Sequence, residues 1–427
     1  MDNYRFIVLG SDQNAYGQVR AIHEITHKKV DVIAQSQLSA IKYSKIINLK
    51  IFPDLLDDQK FVKHLIDIYH EFNGEKVMLF PFPCGDTYVG LLSRNSKILK
   101  KYFTFPFNDY RLTDKLTDKQ NFISIADQNN LPHPNSIIIT PDDYKSFDYS
   151  KIGNNFPVAL KAVDSVRWLD INFSGRKKAY VLNSSSELHD IVAAAYDAGY
   201  DRNFIVQDFI PGGASSDRVL NCYVDRNHHV KMMSLGHPIL EDPGAAAIGN
   251  YLTILPAYDS KLYEITKNFL EAINYTGFAN FDLKLDPRDN QYKFLEINLR
   301  FGRSSYYVNL NGVSFPQLLI DDYFSNVLKD KPIQYCNEDS SEYVLWNSVP
   351  LDVLKTYAHH DLYYLKASDL IKKGAVADTL SYPKDMSLKR KFMIWHMKSY
   401  YRRNFKKNLN QISTEKNNGN SSLFKTP

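Results

Sequence analysis

Cysteine is scarce: Cys84, Cys222 and Cys336 stand far apart in 427 residues, in odd number and without a C-x-x-C pair. That argues against a disulfide framework or a cysteine-built zinc site and fits a reducing cytosol. Long apolar runs are also lacking, and the opening MDNYRFIVLG has no basic stretch ahead of one. Neither a membrane span nor a signal peptide is expected. Glycine and proline, 18 of each, are too few for a collagen-like or low-complexity chain. Net positive charge is absent from the body. Of a net +4, the segment 388–407 carries +8 through Lys389, Arg390, Lys391, Lys398, Arg402, Arg403, Lys406 and Lys407 with no acid, so the remainder is −4. A nucleic-acid-binding body, which needs a basic face, is disfavoured.

What is present is a globular composition, 44% hydrophobic, in a chain about three times the usual ~150-residue domain, so two or three cores are expected. Short β-rich runs at 6–9, 30–34, 46–51 and 77–80 alternate with helical patterns at 16–26 and 61–72. Such alternation predicts a parallel sheet with its ligand crevice at the carboxyl ends of the strands. Residues 10–16 and 84–87 follow strands and should meet there. Further on, 157–163, 178–182 and 204–209 read as strands, 186–198 as a helix, and 218–255 as strand-rich. Residues 408–427, rich in Asn, Ser and Lys, read as a frayed end.

The strongest chemical signal is GFANFDLKL, DPRDN and QYKFLEINLR at 277–300. The central five residues are turn chemistry between two alternating runs, which predicts a β-hairpin centred near residue 289. Asp282 then faces Glu296. Alternation puts Phe281, Leu283 and Leu285 with Leu295, Ile297 and Leu299 on the core face, and Asp282, Glu296, Asn298 and Arg300 on the other. Opposed carboxylates repel, and a cation resolves the conflict; few hard oxygen donors suit Mg²⁺ shared with a nucleotide better than a Ca²⁺ cage. A surface hairpin whose acids pair with Lys284, Lys293 and Arg300 is the alternative.

Upstream, Asp118-Lys119 opens a helix ended by LPHP at 131–134, and Lys161 sits in the apolar strand FPVALK, where a charge calls for an anion. FIVQDFIPG at 204–212 reads as a strand leading into a hinge. In this order, with the closing EINLR, the chain resembles the ATP-grasp superfamily of carboxylate–amine ligases. The runs GSDQNAYG (10–17), FSGRKKA (173–179), VQDFIPG (206–212), LGHPILEDP (235–243), YTGFANFD (275–282) and EINLRFGRSS (296–305) are similar to the D-aspartate ligases of Gram-positive cell-wall synthesis. This similarity covers about residues 1–400.

The resemblance implies an α/β (α+β overall) ATP-grasp fold: a parallel-sheet pre-ATP-grasp domain at 1–115, a lid with flanking helix and hinge at 116–210, a core with the metal site at 211–335, and an extension with basic segment and frayed tail at 336–427. It implies ATP and Mg²⁺ as cofactors. Lys119, Lys161, Arg176 and Lys178 would meet phosphates, Gln207, Asp208, Phe209 and Ile210 would hold adenine, Asp282, Glu296 and Asn298 would hold the metal, and Arg300 and Arg303 would be catalytic. It further implies that the β-carboxylate of D-aspartate is phosphorylated and then joined to the ε-amine of lysine in a peptidoglycan precursor such as UDP-N-acetylmuramoyl-pentapeptide. Another ATP-grasp amino-acid or peptide ligase, and a non-catalytic ATP-binding regulator, are the alternatives.

Two departures stand out. The loop 161–178 holds a single glycine, Gly175, and Asn280 occupies the place where D-alanine-type ligases carry an arginine. Substrate candidates are Ser11, Asp12, Asn14, Tyr16 and Arg20 at the first crevice, with Ser304 and Ser305 beside Arg303. Asp12 or Asn14 reads equally as a helix cap. His237 and Glu241 are candidate bases for the amine, and a structural histidine in the Gly-His-Pro turn is the other reading. The basic segment interleaves Phe392, Ile394, Trp395, Tyr400 and Phe405 with cations, so it reads as a membrane-surface helix at the inner face of the plasma membrane or as a helix packed on a cytoplasmic body.

Overall fold

The computed structural model describes residues 4–72, 74–80, 87–152, 156–164, 167–168, 170–244, 249–336 and 342–417. Cys84 and most of the turn expected to meet Gly10 lie outside these residues.

The amino-terminal alternation forms a five-stranded sheet, β1 (Tyr4–Leu9), β2 (Val30–Ala34), β3 (Ile47–Ile51), β4 (Lys76–Phe80) and β5 (Phe103–Thr104), in the order β3-β2-β1-β4-β5 with every pair parallel. Strand β1 is wholly buried from Phe6 to Leu9, as a central parallel strand covered on both faces must be. It ends at Gly10, and Asp12 caps the helix Gln13–Thr26 by accepting the Ala15 N–H.

A second sheet, β6 (Ser136–Ile139), β7 (Val158–Ala162), β8 (Ala179–Leu182) and β9 (Phe204–Asp208), is antiparallel in the order β6-β9-β7-β8. Its own core, with Trp168, Leu188, Val192 and Phe204, is covered by the helix Ser185–Asp197.

The third sheet is the largest, β14-β13-β10-β11-β12-β16-β17, with β15 beside β11. Its strands are β10 (Asp217–Val224), β11 (Val230–Glu241), β12 (Tyr251–Ala257), β13 (Gly277–Asp286), β14 (Gln291–Asn298), β15 (Gln334–Tyr335), β16 (Leu345–Asn347) and β17 (Val376–Ala377). The segment after residue 335 thus supplies two strands to the central sheet. Gly277 opens β13 at φ +96, where an added Cβ would lie 2.1 Å from the Pro106 carbonyl oxygen. Only glycine lets the hairpin start this close to the first sheet's exit.

The chain closes on a 30-residue helix, Leu388–Asn417. Residues 408–417, read as frayed from composition, continue that helix. Among the described residues no helix is long and apolar enough to cross a membrane. Hydrogen bonds to a buried ion pair at its start tie the helix to the amino-terminal segment. Asp385 and Arg390, neither exposed, lie 3.3 Å apart, and Asp385 accepts from Tyr16 Oη, Ser44 Oγ and the Lys45 N–H.

Candidate active site

The hairpin forms with Asp282 opposite Glu296 and Asn280 opposite Asn298. A β-bulge between Asp282 and Leu283 then shifts the register, so that Leu283 faces Phe294 and Leu285 faces Tyr292. The core face expected from strict alternation is corrected by this one residue: Phe294 is buried in place of Leu295, and Leu285 gives way to Asp286, which is held by Arg288. The bulge sits beside the acid pair and leaves it in register.

Burial, and then the adjoining Glu296 carboxylate, push the Asp282 carboxyl well above the usual carboxylate range; Arg300 and Asn298 oppose them. Asn298 Nδ2 donates to Asp282 Oδ2 at 3.2 Å while its Oδ1 accepts from Arg300 at 3.2 Å. The four residues form one chain of polar contacts on the cleft side of β13 and β14.

Across the cleft stand the lysines. Lys161 on β7 donates to Gln207 Oε1 at 3.3 Å, and Lys119, the first residue of its helix behind the Asp118 cap, reaches the Ala162 carbonyl at 3.5 Å. Burial pushes the Lys161 ammonium down; Glu296 and Asp282 oppose it, whereas Lys119 and Lys284 add to it. Residues from 119 to 296 therefore share one electrostatic neighbourhood. Sequence reasoning missed Asp217 and the role of Lys284 in it. They are register partners on β10 and β13 and form an ion pair at 2.5 Å. Only the non-local β10–β13 pairing could have shown this. Burial also raises the Glu241 carboxyl, with Asp217 adding to the effect and Lys284 and Lys178 opposing it.

In the segment before β8, Trp168 Nε1 donates to the Lys177 carbonyl and Arg176 donates to the Trp168 carbonyl. Arg176 and Lys178 are exposed on it. At the end of β9, strand pairing occupies the backbone of Gln207, and the Asp208 N–H donates to the Asn135 carbonyl. Phe209 and Ile210 follow the end of β9.

The other end of the cleft follows the hairpin. Arg303 donates to Tyr401 Oη at 3.0 Å, Ser304 is buried, and Asn14 Nδ2 donates to the Phe301 carbonyl, tying the first helix to this segment. Ser305 accepts the Gly302 N–H and donates to Asn221, which also accepts from Asn280, so both serve a buried network. Ser11 donates to the Ser36 carbonyl, and Asp12 is the helix cap. Tyr16 and Arg20 do not belong to this cleft, which corrects the expectation. Tyr16 is fully buried under the Arg390 guanidinium with its hydroxyl on Asp385, and Arg20 donates to the Asp378 and Thr379 carbonyls. Their helix face is covered by the carboxyl-terminal segment. His237 is buried with its ring centroid 4.0 Å from that of Tyr363 and Nε2 3.4 Å from Asp361 Oδ1; burial pushes its pKa down, favouring neutral imidazole.

Among the described residues no three His, Cys, Asp or Glu side chains converge on a metal-sized site. The two carboxylates fit a hard divalent cation that takes its remaining ligands from phosphates and water, and their mutual repulsion is what such a cation relieves; the Asn298 amide oxygen, engaged by Arg300 as it stands, would join them only after its side-chain amide turns over.

No family model matches the chain. It is 40% identical over 414 residues to the D-aspartate ligase of Enterococcus faecium (strain Aus0004), covering 95% of this chain and 97% of that enzyme. In fold it is similar to an ADP complex of N5-carboxyaminoimidazole ribonucleotide synthetase, with TM-score 0.57, 14% identity, and 79% and 80% of the two chains covered. It is also similar to an L-amino acid ligase from Bacillus licheniformis, with TM-score 0.52, 16% identity, and 80% and 77% covered. The fold is ATP-grasp, and the chain is an ATP-dependent ligase forming C–N bonds. It belongs to the D-aspartate ligase family.

Proposed function

We propose that this ligase transfers the γ-phosphoryl group of ATP to the β-carboxylate of D-aspartate and joins the activated acyl group to the ε-amine of lysine in a peptidoglycan precursor peptide, in the cytoplasm. The observation that carries this reading is the cleft in which the acid pair of β13 and β14 faces Lys161 and Lys119, in a chain so similar to a D-aspartate ligase.

In this reading Phe209 and Ile210 hold the adenine, and Lys119, Lys161, Arg176 and Lys178 hold the phosphates. Asp282, Glu296 and Asn298 hold Mg²⁺, which when bound neutralises phosphate charge. A carboxylate oxygen of the amino acid attacks the γ-phosphorus, ADP leaves, and an acyl phosphate remains. Lys161 is suited to the transferring group because its ammonium, which desolvation disfavours, gains from a nearby anion. The neutral amine then attacks the acyl carbon, the bond to the phosphate oxygen breaks, and phosphate and a proton depart as the amide forms. Arg300, beside the acid pair, stabilises the oxyanion of that addition, a contribution on the order of 3–4 kcal/mol for such donors. Arg303, Ser304 and Asn14 orient the α-carboxylate end. Neutral His237, backed by Asp361, is the candidate for accepting the proton.

The test is phosphate release by the purified protein with Mg²⁺, ATP and the lysine-containing UDP-N-acetylmuramoyl-pentapeptide, comparing D- with L-aspartate and following product mass. Release with the D isomer alone and a product heavier by one aspartyl residue is expected. Release with neither isomer, despite ATP binding, would overturn the substrate assignment.

A further inference from the structure

The closing helix Leu388–Asn417 has two faces. Its inner face, Arg390, Ile394, Tyr401 and Phe405, is buried against the body at helical spacing. Three of its cations are paired with acids of the body: Arg390 with Asp385, Lys398 with Asp378 and Arg402 with Asp352. Of its other cations, Lys389, Lys391, Arg403, Lys406 and Lys407 are exposed. Among them stands an apolar stripe, Leu388, Phe392 and Trp395 at i, i+4 and i+7, exposed by 85%, 67% and 58%. The Phe392 and Trp395 rings lie 5.7 Å apart. Arg390 also donates to the Ala40 and Lys42 carbonyls, which brings Lys42 and the exposed Tyr43 beside the start of this helix.

We infer that the outer face of this helix is a docking surface for an anionic phospholipid bilayer. Large aromatic side chains projecting from one helix face and rimmed by lysines are the set that sits at a headgroup boundary: the rings enter the acyl edge and the ammonium groups meet lipid phosphates. Charge selects the occupant. Of the +8 that the segment 388–407 carries against −4 on the rest of the chain, five charges belong to these exposed cations, so an anionic plane attracts this face. The same helix carries Tyr401, which holds Arg303, six residues or about 9 Å along the axis from Trp395. Docking by this face brings the amino-acid end of the cleft close to the membrane surface. The inference stands apart from the proposed substrates, because none of the side chains on this face is a residue of the cleft.

The full-length protein is sedimented with vesicles of phosphatidylcholine alone and of phosphatidylcholine mixed equally with phosphatidylglycerol, at low and high salt. Binding to the anionic vesicles, weakened by salt and much weaker to phosphatidylcholine, is expected. Trp168 and Trp346 are buried, so a blue shift of tryptophan emission on binding reports insertion of Trp395. The pair of changes Phe392→Gln and Trp395→Gln, and separately Lys389→Gln with Lys391→Gln, should each lower partitioning by about tenfold or more. All four positions are exposed and outside the cleft, so ligase turnover with the soluble nucleotide precursor should be unchanged. Failure to bind anionic vesicles, equal binding to both vesicle types, or binding indifferent to both variants would overturn the inference. So would concentration-dependent self-association without lipid that the aromatic variant abolishes, since a second copy would then cover the face.

Discussion

Replacing Asp282 by asparagine should make the ligand-free protein more stable and the enzyme almost inactive. Asp282 and Glu296 face each other across β13 and β14, and burial followed by the Glu296 charge raises the Asp282 carboxyl. A carboxyl raised on folding binds its proton more tightly in the native state. Its stabilising contribution is therefore complete below the unfolded value of about 4 and is lost as pH rises through the folded value. At neutral pH the wild type holds two partly buried acids together, at a cost that a neutral amide in place of one of them would not bear. The gain from Asp282→Asn is on the order of 1–2 kcal/mol, or roughly 1–2 °C in melting temperature for a chain of this length. Mg²⁺ with ATP reverses the ranking. A ligand at about a hundredfold excess over its Kd adds about 2.7 kcal/mol, and the variant forfeits most of this while losing on the order of a hundredfold or more in turnover. Scanning calorimetry from about pH 5 to about pH 8, with and without Mg²⁺ and ATP, gives the readout. The wild type alone should lose stability as pH rises through the raised value, and the two melting curves should exchange order on adding ligand. A variant that melts below the wild type at neutral pH without ligand, or that keeps the full ligand shift, would refute the reasoning.

Lys161→Met should leave the melting temperature within about 2 °C, since the position is partly buried beside Gln207, while lowering kcat/KM for ATP by about a hundredfold; stopped-time assays at varied ATP check this, and an unchanged value would remove Lys161 from the phosphate site. Tyr401→Phe removes the hydroxyl that holds Arg303, so KM for D-aspartate should rise about three- to tenfold with KM for ATP unaltered; an equal rise in both would point to general loosening of the closing helix. Asp385→Asn leaves Arg390 buried without its counter-charge and should cost about 3–5 kcal/mol, read as a fall in urea midpoint. Adding Arg390→Met should recover part of that loss, and a second change that deepens it would contradict the ion-pair account.

The overturned expectations share a cause. Tyr16 and Arg20 stand in a motif that follows a strand, and the crevice at that strand's end is a sound place to expect substrate. What covers their side of the helix, however, comes from Asp385, 369 positions away, and from Asp378 and Thr379, and no periodicity reports such a contact. The bulge at Asp282 was equally silent, because hydrophobic alternation in 277–300 is consistent with strict pairing until one extra residue is accommodated in three dimensions.

The sequence by itself determined the elements whose partners lie close along the chain. Turn chemistry at 286–290 set Asp282 against Glu296, Asp118 capped the helix that begins with Lys119, and β-α alternation produced the parallel sheet. These follow from local dihedral preference and side-chain period, which every short window carries. Tertiary structure alone decided the pairing of Asp217 with Lys284, the meeting of Lys161 with the acid pair, and the division of the closing helix into a buried face and an exposed one. Each of these depends on which distant surfaces exclude water from one another, and that is settled only when the sheets assemble.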